Sequence, residues 1–87
     1  MIKNPSHHEI DIDKLHTTPM GAERIRRNLG LTTEDVEIWC REAVKNTHDS
    51  DIVQRGKNFY VNGDGFVITI HAHSHTIITA QRKVKLK

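Results

Sequence analysis

The residue pattern of this 87-residue chain predicts an α+β domain, with two N-terminal helices packed on one face of a three-stranded antiparallel β-meander. Three observations predict it. Apolar residues recur at every third or fourth position between Thr17 and Asn46, the spacing of an amphipathic helix. From Asp51 onward the apolar residues alternate with polar ones, the period of a half-buried strand. Asn62-Gly63-Asp64-Gly65 interrupts that alternation with residues that tolerate positive φ, as a hairpin turn requires.

Residues 1–8 read as a polar tail with Pro5, and Glu9-Ile10-Asp11-Ile12-Asp13 as a short edge strand or an extended arm. The expected division is a flexible arm at residues 1–14 and a single domain at 15–87. Thr17-Thr18-Pro19 starts the first helix, because a threonine caps free N–H groups and proline suits the first helical position. Met20, Ala22, Ile25 and Leu29 form its apolar stripe, and Gly30 ends it. Thr32-Thr33-Glu34-Asp35 starts the second helix with a threonine cap and acids in the first turn. Its face is Val36, Trp39, Cys40, Ala43 and Val44, with Trp39 expected in the core, and it fades near Asn46.

The linker Thr47-His48-Asp49-Ser50 has a loop composition. Phe59 and Val61 then point one way, and Asn58, Tyr60 and Asn62 the other. In the next strand Phe66, Ile68, Ile70 and Ala72 share a face opposite Val67, Thr69 and His71. A strand running on from Phe66 to Leu86 would far exceed the usual five or six residues, so a turn is expected within Ala72-His73-Ser74-His75. Alternation in the last strand puts Ile78, Ala80, Val84 and Leu86 inward, with Arg82 interrupting. Its outward face carries Ile77, Thr79, Gln81, Lys83 and Lys85.

Composition narrows the function classes. A chain this short buries a limited core, so pairing with a second copy or a partner chain is expected. The single cysteine, Cys40, can form neither an internal disulfide nor a thiolate metal cluster, which favours a reducing, cytoplasmic setting. No long apolar run marks a signal peptide or a membrane span. A formal charge of +2 with seven histidines permits nucleic-acid contact without requiring it.

Three constellations could carry chemistry. His71, His73 and His75 would share a face on one straight strand, as zinc ligands could, but the expected turn breaks that alignment, so no metal or other cofactor is assigned. Arg24-Ile25-Arg26-Arg27 beside a second helix suggests helix-turn-helix DNA reading, but Glu34, Asp35 and Glu37 would repel phosphates there. The third is the open sheet face, which gathers Tyr60, Thr69, His71, Thr79, Gln81, Lys83 and Lys85. RNA cleavage without a metal needs a base for the 2′-hydroxyl, an acid for the leaving oxygen and cations for the phosphate.

Leu15-His16-Thr17-Thr18, Glu23-Arg24-Ile25, Asn28-Leu29, Asp35-Val36, Trp39-Cys40, Gly56 to Val61 and Ala72-His73-Ser74-His75-Thr76-Ile77-Ile78-Thr79-Ala80 together resemble a short bacterial family known only as a domain of unknown function. The resemblance covers Leu15 to Lys83, and it implies no catalytic residue. At the level of fold, two helices before a meander are similar to the ribonuclease toxins of RelE and colicin type.

The function expected from these residues is RNA binding, extending to metal-independent cleavage of toxin type. His71, Tyr60 and Thr79 are its catalytic candidates, and Lys83, Lys85 and Gln81 its nucleic-acid contacts. The alternative is a non-enzymatic interaction module, such as a small prophage-encoded, anti-CRISPR-like inhibitor of a bacterial defence nuclease. The expected partners are RNA, an antitoxin or target nuclease, and a second copy in a homodimer, with no membrane.

Overall fold

A computed structural model describes residues 10–83 of the chain. In chain order they form a 3₁₀ turn at Ile12–Lys14, helix α1 at Pro19–Leu29, helix α2 at Val36–Lys45 and a second 3₁₀ turn at Asp49–Asp51. Strands β1 (Ile52–Arg55), β2 (Asn58–Asn62), β3 (Phe66–His71) and β4 (Ile77–Arg82) follow. Each strand pairs antiparallel with the next, giving one four-stranded sheet in the order β1-β2-β3-β4.

The three-stranded meander is therefore corrected to four strands. The missing strand is Ile52–Arg55, in which Ile52 alone is buried and Val53, Gln54 and Arg55 are exposed. An edge strand with one inward residue leaves no alternation to read. Its hairpin closes through Gly56 and Lys57, with Arg55 opposite Asn58 and Gly56 at φ +56°. Glycine first in a two-residue loop is the II′ pattern, which matches strand twist.

The helix ends follow from capping. Thr18 Oγ1 accepts from the Gly21 N–H at 3.0 Å, Pro19 takes the first position and Gly30 closes α1 at φ +66°. In α2 the cap is Asp35, whose Oδ1 accepts from the Ile38 N–H at 3.1 Å. This corrects the expected threonine cap: Thr33 instead accepts from the Asp35 N–H at 3.2 Å and holds the residue that does the capping.

Register turns the apolar residues of the strands into rows across one face. Ile52, Val61, Ile68 and Ala80 make one row, and Phe59, Ile70 and Ile77 the next. All seven are buried. Against them pack Ile25 and Leu29 of α1 and Val36, Cys40 and Val44 of α2, with Ile10 and Leu15 completing the cluster. Each such aliphatic side chain contributes about 1.5–3 kcal/mol when fully buried. Residues 10–14 hold a 3₁₀ turn where a strand was one expectation, and Ile10 is only 2% exposed. The tail at residues 1–9 lies outside the described residues.

Three expected orientations change. Met20 is 78% exposed, off the stripe that buries Ile25 and Leu29. Trp39 is half-buried at the rim, where its ring meets Phe66 edge-on at 5.4 Å between centroids. In β4 a register shift opposite Thr69/Ile70 reverses the first two residues, so that Ile77 is buried and Ile78 is exposed. A bulge adds one residue to one strand and so inverts strict alternation. Val84, Lys85 and Leu86 lie outside the described residues. Among the described residues no helix is long and apolar enough to cross a membrane.

Candidate functional site

The sheet face turned away from the helices is built from three rows. Val53, Tyr60, Thr69 and Thr79 lie opposite one another across all four strands. On one side of this row lie Arg55, Asn58 and His71, and on the other Asn62, Val67 and Gln81. Neighbouring strands stand about 4.8 Å apart, so Tyr60 and Thr79, two strands apart, are separated by about 10 Å of backbone. Five of these side chains, Val53, Arg55, Tyr60, Asn62 and Val67, line a shallow depression of about 320 Å³.

Most residues expected on this face do share it. His71, Tyr60, Thr79 and Gln81 are placed there by register. Tyr60 Oη accepts a long hydrogen bond of 3.4 Å from Asn58 Nδ2, and Asn58 is the residue opposite His71. Lys83 follows β4 rather than belonging to it, and its Nζ donates to the Gly63 carbonyl at 3.3 Å, which draws its charge toward the β2–β3 turn. Lys85 lies outside the described residues.

A second arrangement forms where β3 turns into β4. His71 Nδ1 sits 3.2 Å from Ser74 Oγ, Ser74 Oγ 2.7 Å from Thr76 Oγ1, and Thr76 Oγ1 3.1 Å from His16 Nε2. His16 Nδ1 lies 2.8 Å from the Lys14 carbonyl, which can only accept, so the neutral ring carries its proton on Nδ1 and accepts from Thr76. Two imidazoles are thus joined through two hydroxyls. Nε2 of His71 has no hydrogen-bond partner among the described residues.

The backbone explains why these groups meet. His16 bridges Thr76 in parallel, with the Ile77 N–H donating to the His16 carbonyl at 2.7 Å. The turn itself requires His75 at φ +60°, a left-handed conformation uncommon for a side chain of this size. Its ring Nε2 accepts from the Asp11 N–H at 3.0 Å, tying the turn to the N-terminal segment. His71, His73 and His75 therefore have separate surroundings. Among the described residues, no three His, Cys, Asp or Glu side chains are grouped to hold a metal.

His16, Ser74 and Thr76 escaped sequence reading as site residues. His16 stands 60 positions from Thr76 in the chain, and only the bridge unites them. The one signal was compositional: hydroxyls and histidines interleave in His71-Ala72-His73-Ser74-His75-Thr76. Cys40, by contrast, is no nucleophile. Burial, and then the negative charge of Glu37, push its thiol up to about 12.

Comparison with curated proteins and with solved structures gives no match. A family model described as "Protein of unknown function (DUF3781)" matches residues 10–81, from the buried Ile10 to Gln81 on the open face. That span takes in both helices, all four strands but the last residue of β4, and the turn that joins the two histidines, so the chain belongs to the DUF3781 family.

Proposed function

We propose that the open sheet face binds single-stranded RNA and that His71 transfers protons at a phosphodiester held there, without a metal. The observation that carries this reading is the register itself. It sets an aromatic ring, two hydroxyls, a guanidinium and an imidazole on one face, as Tyr60, Thr69, Thr79, Arg55 and His71. Bases stack on an aromatic side chain whatever their sequence, a contact worth about 1–3 kcal/mol per base. Lys83, which follows the end of β4, is the phosphate contact.

Cleavage of RNA through its 2′-hydroxyl requires one proton to leave that oxygen and another to reach the departing 5′-oxygen. In this reading solvent water takes the first proton, and Nε2 of His71, which carries the neutral ring's proton because Nδ1 accepts from the Ser74 N–H at 3.3 Å, supplies the second. The Ser74–Thr76–His16 chain behind Nδ1 holds the ring in place. The order of two helices before an antiparallel sheet resembles the RelE and colicin ribonuclease toxins, an analogy of fold that assigns no residue.

Purified protein incubated with RNA in EDTA tests both halves of the reading. RNA affinity should fall as salt rises, because each neutralised phosphate releases counterions. Tyr60→Ala and Lys83→Ala should each weaken binding, whereas His71→Ala should abolish cleavage and spare binding. A parent protein without RNA affinity at low salt would overturn the proposal. The leading reading would then be an interaction module, with the same face meeting a target nuclease or an antitoxin.

A further inference from the structure

The two edges of the sheet are treated differently. The outer edge of β4 is covered: His16 pairs with its start, Thr17 Oγ1 donates to the Ile77 carbonyl at 3.0 Å and Asn28 Nδ2 to the Ala80 carbonyl at 3.3 Å. The outer edge of β1 has no such cover among the described residues, since β1 pairs only with β2. An open strand edge is a template for another strand.

The sequence of this edge is complementary to itself. Asp51 precedes the strand, Arg55 ends it, and Val53, an exposed apolar residue at 36%, stands midway between them. Two antiparallel copies related by a twofold axis at Val53 would place Val53 beside Val53, and Asp51 of each copy beside Arg55 of the other. A twofold contact needs this self-complementarity, and directly opposed side chains approach within about 5 Å.

We propose that β1 is the dimerisation edge of this protein, pairing antiparallel with β1 of a second copy in the register that sets Val53 on the twofold axis. Two four-stranded sheets then become one continuous sheet. The depression lined by Val53, Arg55, Tyr60, Asn62 and Val67 lies at the seam, so each copy completes the other's.

Charge exchange tests the pairing and its register together. Light scattering behind a sizing column at low salt should give the parent a dimer mass. Arg55→Asp and Asp51→Arg should each weaken association by about ten-fold or more, since each replaces two attractive contacts with two like-charge contacts. An equimolar mixture of the two variants should reassociate one to one. The first variant carries a carboxylate at both positions and the second a guanidinium at both, so every contact between unlike chains is attractive. Circular dichroism on each variant checks that these exposed changes leave the fold intact.

A second measurement is Val53→Cys, which should cross-link to itself under mild oxidant while Gln54→Cys does not, Cys40 being buried in both. A parent that stays monomeric up to about 1 mM overturns the proposal, as that concentration corresponds to only about 4 kcal/mol of association. So does a dimer indifferent to both charge variants, or a mixture that stays monomeric. Failure of Val53→Cys to cross-link more readily than Gln54→Cys overturns the register.

Discussion

At the residue scale, two positions make sharp predictions. Gly63 lies under the Phe66 ring, and a Cβ there would stand 2.1 Å from Phe66 Cζ. The ring is also held by Trp39, so it cannot swing aside without giving up that contact. Gly63→Ala should cost about 1–3 kcal/mol, as overpacking does. Because Trp39 is the sole tryptophan, urea unfolding followed by its fluorescence reads both the loss and the altered ring contact. Cys40 supplies the second. Its thiol, buried and pushed up to about 12 from 9.0, stays protonated in the fold while the unfolded chain ionises at lower pH. The unfolded state therefore binds fewer protons between these values, and stability should fall as pH rises through that window. Native protein should resist iodoacetamide at pH 8 and react once unfolded, and rapid labelling of the native state would contradict the burial.

At the scale of elements, helix α2 depends on its cap and on a rim contact. Asp35→Ala removes the acceptor of the Ile38 N–H and should cost about 1 kcal/mol, read as a lower urea midpoint with unchanged slope. Trp39→Ala should lower the melting temperature but leave cooperative unfolding, because Trp39 is half-buried against Phe66 and the continuous core runs through Val36, Cys40 and Val44. A stripe of five apolar positions was legible as helix. Which of the five lie deepest was not, since that depends on where the sheet ends beneath the helix. The same holds for β4. Its period of two was legible, but the bulge that buries Ile77 and exposes Ile78 belongs to the β3–β4 pairing and has no local signature.

For the whole molecule, stability resides in one cluster fed by both helices, every strand and the N-terminal Ile10 and Leu15. Ile68→Ala, at the middle of a row that crosses all four strands, should cost about 2–5 kcal/mol and lower the thermal midpoint by many degrees. Chelation should leave the melting temperature unchanged, because among the described residues no three His, Cys, Asp or Glu side chains are grouped to hold a metal. A drop in EDTA that zinc reverses would place a metal in the fold.

The sequence by itself determined the α+β class, the two helices, the cap and stop of α1 and most of the inward residues, though neither the strand number nor the residue that caps α2, because caps, periodicity and turn chemistry act within a few residues of one another. It also determined that Tyr60, His71, Thr79 and Gln81 share the open face, since alternation needs only a correct strand. Only the tertiary structure decided that Ile52–Arg55 is a fourth strand, because an edge strand gains its order from β2 rather than from its own pattern. It alone placed His16 beside Thr76, 60 residues away, and so linked two histidines through Ser74 and Thr76. Contacts of that separation are fixed by how the chain returns on itself, and no local propensity encodes them.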